Sequence, residues 1–350
     1  MKIQEAIGQL VIGHGLSEKD MYEVMLVIMS GDATPAQIGS FITALRMKGE
    51  TVEEITGAVR VMREKATPID TGVATAKGEV LVDIVGTGGD CSGTFNVSTT
   101  SSFVVAAAGI PVAKHGNRAV SSRCGSADVL EAAGVNLNLP PDQIGQCVRT
   151  VGIGFLFAPA LHKAMKYAIG PRREIGIRSI FNILGPMTNP AGANVQVVGV
   201  FDAGLTELVA NVLLRLGTKR SLVVYGEGNL DELTVTGTTR ISEVADGRVQ
   251  TYNVTPEELG LKRARLEELA GAATPQLAAV DMRSILTGQQ GPKRDMVLLN
   301  SGAAFMVAGM TSTIADGIAK AAEIIDSGKA VAKLDELVQL CASFDAQKAE

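Results

Sequence analysis

The sequence predicts an α/β protein in which a domain with a mostly parallel sheet follows a small helical module. Three observations carry that prediction. From residue 80 onward, short β-rich runs bounded by glycine alternate with helical stretches, the pattern of strands joined by crossover helices. The first seventy residues carry helix-capping signatures and no strand pattern. The 39 glycines cluster at the ends of apolar runs, where the backbone turns left-handed or approaches a ligand closely.

Taken in order, Ser17 precedes an apolar-periodic run of Met21, Val24, Met25 and Ile28. Thr34-Pro35-Ala36-Gln37 is a capping box with proline at the first helical position, and Thr51-Val52-Glu53-Glu54 is a second box. Between them Ile38, Phe41, Ile42 and Leu45 share one helical face. Strands are then predicted over Val80–Val85, Ile110–Ala113, Val195–Phe201 and Ser221–Tyr225, with helices over Ser98–Ala108, Ser126–Ala133, Asp142–Thr150 and Thr206–Leu216. Basic, helix-like sequence from Pro159 to Leu184 interrupts the alternation. Further strands are predicted at Val249–Tyr252 and Asp295–Leu299, and closing helices at Thr311–Asp326 and Lys329–Ser343.

Composition narrows the function. With 46% hydrophobic and 20% charged residues, the chain buries a core and is not disordered. A net charge of −5 argues against nucleic-acid and membrane-surface partners, whose footprint is basic. The longest apolar stretch, Phe103 to Ala113, is broken by Gly109 and Pro111 and falls short of the ~20 residues of a membrane span. The N-terminus has no signal-peptide core, so a cytoplasmic protein is expected. Cys91, Cys124, Cys147 and Cys341 show neither metal-finger nor disulfide-framework spacing.

The strongest chemical signal follows the first predicted strand, where Gly86-Thr87-Gly88-Gly89-Asp90-Cys91-Ser92-Gly93-Thr94 leads into Phe95-Asn96-Val97-Ser98-Thr99. A glycine-rich loop exposes backbone N–H groups, and the helix that follows adds its partial positive charge, so phosphate is the expected ligand. A plain strand-to-helix turn needs one glycine, not four. The Walker A pattern fails because Thr94-Phe95 stands where Lys-Ser/Thr is required. The dinucleotide pattern fails at Cys91 and lacks its ribose-binding acid. A second cluster, Lys114 to Ser126, brings Lys114, Arg118 and Arg123 together with hydroxyls in an otherwise acidic chain, as a polar loop at a strand's carboxyl end. After the predicted strand Ser221–Tyr225 comes Asp231-Glu232, hard oxygen ligands suited to magnesium on a phosphate; alone, such a pair is ordinarily a solvated surface feature. His162 and the Arg172-Arg173 pair sit in the interrupting segment, and a pocket-facing arginine there would take a carboxylate bidentately.

These motifs together resemble one family. GTGGD at 86–90, NVST at 96–99, KHGNRAVSS at 114–122, GSADVLEAAG at 125–134 and RREIGIRSIFNILGPMTNPA at 172–191 closely resemble the anthranilate phosphoribosyltransferases, across nearly the whole chain. The resemblance implies the class III nucleoside phosphorylase/phosphoribosyltransferase fold, with a helical domain over 1–72 completed by helices from about 165–190 and an α/β domain over 73–350. It implies transfer of the phosphoribosyl group from 5-phospho-α-D-ribose 1-diphosphate (PRPP) to the anthranilate amine, releasing diphosphate. It also implies two magnesium ions per monomer and a homodimer through the helical domain. Anthranilate is then expected at Gly86, His115, Asn117, His162 and Arg172. PRPP is expected at Gly86, Gly89, Asp90, Thr94, Asn96, Val97, Ser98, Thr99, Lys114, His115, Gly116, Asn117, Arg118, Ala119, Val120, Ser121, Ser122 and Ser126, and magnesium at Ser98, Asp231 and Glu232. Cys124, Arg123, Tyr225 and Lys163 depart from the commoner serine, lysine, histidine and proline, and none removes a group that the chemistry demands. A pyrimidine nucleoside phosphorylase shares the implied fold, but the GTGGD–NVST pair with Asp231-Glu232 favours the transferase. A non-catalytic phosphosugar-binding module would have no need of the acidic pair. Because the two substrates are assigned to different domains, a hinge is expected over residues 70–80.

Overall fold

The computed structural model describes every residue except 91, 120–123 and 347–350. The chain opens with four helices, α1 (Ile3–Val11), α2 (Glu18–Ser30), α3 (Pro35–Lys48) and α4 (Val52–Lys65). Their starts are fixed by the expected caps. The side chains of Ser17, Thr34 and Thr51 accept from the N–H groups of Asp20, Gln37 and Glu54, each satisfying an orphan donor of the first turn. Glu54 does more than complete its box: it also accepts from the Leu16 N–H and pairs with Lys48 at 2.9 Å inside the bundle.

The α/β part then runs β1 (Val82–Gly86), α5 (Val97–Ala107), β2 (Val112–Gly116), α6 (Ser126–Ala132), α7 (Pro141–Val151), β3 (Ile153–Phe157), α8 (Ala158–Leu161), α9 (Lys166–Ile175), α10 (Phe181–Leu184), β4 (Val195–Gly199), α11 (Leu205–Arg215) and β5 (Arg220–Gly226). The antiparallel strands β6 (Thr239–Ala245) and β7 (Arg248–Val254) follow, then α12 (Pro275–Leu286), α13 (Pro292–Val307), α14 (Ile314–Asp326) and α15 (Lys329–Ala346). The seven strands form one sheet in the order β3-β2-β1-β4-β5-β6-β7, parallel from β3 through β5. Strand order reverses between β1 and β4, and the crevice beyond the carboxyl ends of strands at such a point is where open α/β sheets bind ligands.

Both faces of the parallel part of the sheet, β1 to β5, are buried, which is why β1, β4 and β5 read as continuous apolar runs, whereas the antiparallel edge strand β7 is partly exposed. Val82 and Ile84 of β1 face a core built with α5, α7 and α12–α15, whereas Val85 faces the other side. On that side Val198, Val200 and Val223 join α11, the 180–187 segment and the four N-terminal helices in one apolar layer. The bundle therefore does not close on itself; α4 packs on α11 and completes its core against the sheet.

Two expectations are corrected. Asp295–Leu299 is the start of α13, not a strand: Pro292 opens the helix, and burial on all sides gives it a strand-like apolar run. Lys114, His115 and Gly116 lie within β2 and not in a loop beyond it, so the predicted strand began two residues and ended three residues early. β3 and β6 have no counterpart among the predicted strands; β3 is five residues long and holds a mid-strand Gly154 packed against α7.

Candidate active site

Four loops meet at the carboxyl ends of the parallel strands, and the first leaves β1. Gly88, Gly89 and Gly93 adopt φ values of +66°, +70° and +67°, the left-handed region open to glycine at no cost. Gly86 is required for a different reason: a Cβ there would run into the Asp231 carboxylate, and one at Gly199, its neighbour across the β1–β4 pair, into the Asp231 backbone. The strand ends thus bring the acidic loop beyond β5 directly onto the glycine loop.

Asp231 and Glu232 occupy the donors that the loop presents. Asp231 Oδ2 accepts from the Gly88 N–H at 2.7 Å, and Glu232 Oε1 accepts from the Ser98 N–H at 3.3 Å, at the first turn of α5. Asn96 precedes that helix without capping it and instead donates to the Cys124 carbonyl at 3.1 Å, joining the first loop to the second. Thr99 Oγ1 donates to Ser126 Oγ at 2.9 Å and reinforces the joint. The buried Thr87 hydroxyl has no partner among the described residues. Burial pushes the Asp231 carboxyl up to about 7, with the Asp90 charge adding to it, and burial beside Asp231 drives Glu232 well above its ordinary value. Burial opposes the ionisation of both acids, so a cation held between them would favour their charged forms.

Lys114 is buried between them and Asp83. Its ammonium donates to the His115 carbonyl at 2.9 Å; burial lowers its pKa, while Asp83, Glu232 and Asp231 oppose that shift. Asp83, itself raised to about 6 by burial, accepts from the His115 N–H at 3.1 Å and from Asn189 at 2.8 Å. The buried carboxylate thereby ties β1, the end of β2 and the loop before β4 together.

The two expected histidines meet. His115 and His162 stand Nε2 to Nε2 at 3.2 Å, and the Gly185 backbone lies beside the His115 ring. One of the two Nε2 atoms donates and the other accepts, as their tautomers dictate, and His162 Nδ1 has no partner among the described residues. Burial lowers both rings, to about 3 for His115 and about 4 for His162, and both are neutral at physiological pH. Arg172 lies on α9 with its guanidinium carbon 5.3 Å from the centre of the Phe181 ring, half-buried, its pKa lowered by that burial.

Not every expected residue is gathered in. Arg118 forks onto Asp128 and Glu131 of α6, at 2.8 Å each, so its charge is already matched. The Ala119 N–H donates to Asp128 as well. Val120, Ser121 and Ser122 lie outside the described residues. Two side chains that sequence reasoning did not single out hold the site together, Asp83 and Asn189. A lone aspartate inside an otherwise apolar strand was the available signal for Asp83.

The donor set fits magnesium. Among the described residues no three or more histidine, cysteine, aspartate or glutamate side chains gather as a metal cluster. Two carboxylates and the Ser98 hydroxyl supply hard oxygens and leave coordination positions for water and substrate phosphate, as magnesium prefers. No helix among the described residues is long and apolar enough to cross a membrane.

Comparison with known proteins places the chain in a family. Residues 78–331 match the model of the glycosyl transferase family α/β domain, and residues 4–66 match that family's helical bundle domain. The chain is 61% identical over 338 residues to the anthranilate phosphoribosyltransferase of Desulfotalea psychrophila, covering 97% of each chain. Among solved structures it resembles the anthranilate phosphoribosyltransferase of Thermus thermophilus, with a TM-score of 0.90 at 45% identity over 96% of this chain and 99% of that one. It also resembles the Saccharomyces cerevisiae enzyme in complex with PRPP and Mg, with a TM-score of 0.87 at 26% identity over 97% and 98%. The chain belongs to the anthranilate phosphoribosyltransferases of the glycosyl transferase family, and its activity is the phosphoribosyl transfer to anthranilate of tryptophan biosynthesis.

Proposed function

We propose that the reaction is divided between the two sides of the strand-end crevice. The glycine loop after β1 (Gly86, Gly89, Asp90, Thr94), the start of α5 (Asn96, Val97, Ser98, Thr99), the end of β2 with the loop beyond it (Lys114 to Ser122) and Ser126 hold PRPP. Arg172, Asn117, His115, His162 and Gly86 hold anthranilate, the guanidinium taking the carboxylate as a fork. The observation that carries this reading is the pair of carboxylates seated on the Gly88 and Ser98 N–H groups, acids standing where the anionic substrate belongs.

The amine nitrogen forms a bond to C1 as the C1–oxygen bond to diphosphate breaks, so negative charge grows on the leaving group. Loop N–H groups, the α5 terminus and Lys114 stabilise that charge where it develops. Magnesium, with two ions per monomer on Asp231, Glu232 and Ser98, would neutralise the diphosphate. The amine is already a nucleophile when neutral, so orientation by Arg172 and Asn117 does most of the work on that side. The neutral His115–His162 pair offers an uncharged wall that does not compete with Arg172 for the carboxylate.

Anthranilate fluorescence tests the assignment. It should disappear when the protein, PRPP and magnesium are combined, and Asp231→Asn/Glu232→Gln should slow the loss by roughly a hundredfold or more and abolish its magnesium response. Retention of the wild-type magnesium response in the double variant would remove the acids from the metal site.

A second copy of the chain belongs to this reading. The α1–α3–α9 face carries an apolar cleft of about 800 Å³ lined by Leu10, Val11, Met47 and Ile175. Val11 and Met47 on it are 70% and 84% exposed, a patch expected at a homodimer interface through the helical part. A cytoplasmic location goes with the same reading, since four cysteines without a framework spacing fit a reducing compartment.

A further inference from the structure

Arg178 lies between α9 and α10, just past Gly176, whose φ of +63° ends α9. From there it reaches across the crevice, and its Nη2 donates to the Gly89 carbonyl in the glycine loop. Its guanidinium carbon stands 4.1 Å from the centre of the Phe201 ring, just beyond β4, so the planar group rests on an aromatic face while it bonds the loop. The loop is thereby pinned from two directions. Asp231, on the β5 side, takes the Gly88 N–H, and Arg178, on the α9–α10 side, takes the Gly89 carbonyl. Both glycines are left-handed, a backbone form that glycine adopts at no cost, and these bonds from outside help to hold it.

We propose that Arg178 is a positioning residue that couples the two substrate subsites. It holds the Gly88–Gly89 turn from which diphosphate takes over the N–H now held by Asp231, and it joins that turn to the short stretch of chain that carries Arg172. The inference rests on the assignment of the glycine loop to PRPP and Arg172 to anthranilate. Ordering of the turn by a bound diphosphate firms the Arg178 contact, and the α9–α10 segment is fixed with it. Anthranilate then meets an Arg172 whose mount is already ordered. By linkage, the same factor must work in the other direction.

Calorimetry with magnesium diphosphate, an unreactive stand-in for PRPP, tests this together with anthranilate binding in its presence and absence. The wild-type protein should bind anthranilate several-fold more tightly when diphosphate is bound. Arg178→Gln should bind diphosphate roughly tenfold more weakly, the loss expected for a charge-assisted bond, and its anthranilate affinity should no longer respond to diphosphate. Arg178→Lys, which keeps a charged donor but not the planar stack, should recover part of the diphosphate affinity. A drop in melting temperature with the coupling factor intact would mean a structural role only, and would overturn the proposal. So would wild-type affinity and coupling in Arg178→Gln, or a coupling factor of one in the wild-type protein. Ser98→Ala separates this failure from that of the underlying assignment. If it weakens diphosphate while Arg178→Gln does not, Arg178 alone is misassigned; if neither variant weakens it, the loop is not the diphosphate site.

Discussion

His115 and His162 show how burial sets chemistry at single residues. Each ring loses water on folding, and the charged form loses most, so both protonate far below the 6.5 of a free imidazole. The unfolded chain therefore binds more protons than the folded one between about 6.5 and 4, and stability falls as pH drops through that window. Asp83 works against this, because a carboxyl raised to about 6 makes the folded state the better proton binder above 3.8. Thermal unfolding of His162→Gln beside the wild-type protein isolates the imidazole contribution. The variant's melting temperature should fall less between pH 7 and pH 4.5, and an equal fall in both would mean that His162 is solvated rather than buried. The same residues mark what sequence reading missed. Two histidines 47 positions apart in the chain cannot be paired from spacing, and their contact depends on β2 and β3 being neighbours.

Elements were legible where a local signal fixed them. Ser17, Thr34 and Thr51 start their helices as their capping patterns require, and the glycine loop announces both the end of β1 and the start of α5. Legibility failed where tertiary burial overrides period: α13 is buried on every side from Met296 onward, so its Met296–Leu299 run has no helical stripe. The acidic pair was legible as two hard oxygen donors, but its seat on Gly88 and Ser98 depends on the β1–β4–β5 register. α13 also shows how closely elements approach. Its Gly302 meets Gly317 of α14 backbone to backbone, and a Cβ on Gly302 would lie 2.7 Å from the Ile318 nitrogen. Alanine gains up to about 1 kcal/mol of helix propensity at such a site. Forcing two backbones apart costs typically about 1–3 kcal/mol or more. Gly302→Ala should therefore lower stability by about 1–2 kcal/mol in denaturant unfolding, and a stabilised variant would mean that the crossing is loose.

At the scale of the whole molecule, the helical bundle and one face of the sheet share a single apolar layer, with α4 against α11. Arg215 of α11 adds pairs to Glu18 of α2 and Glu53 of α4. A hinge over residues 70–80 that swung the bundle clear would expose this layer, so closure about it must keep α4 on α11. The opposite face of the bundle carries the exposed Met47, and Met47→Glu should convert a dimer to a monomer in light scattering; an unchanged mass would place any dimer contact elsewhere. In the proposed division, Arg172 on α9, between β3 and β4, serves anthranilate, whereas the strand-end loops serve PRPP. Steady-state kinetics of Arg172→Ala with each substrate varied in turn tests it most directly. Loss of a charge-assisted fork should raise the KM for anthranilate about ten- to a hundredfold and leave the KM for PRPP within about twofold. A KM for PRPP that rises as far as that for anthranilate would put Arg172 in the phosphate site and contradict the division.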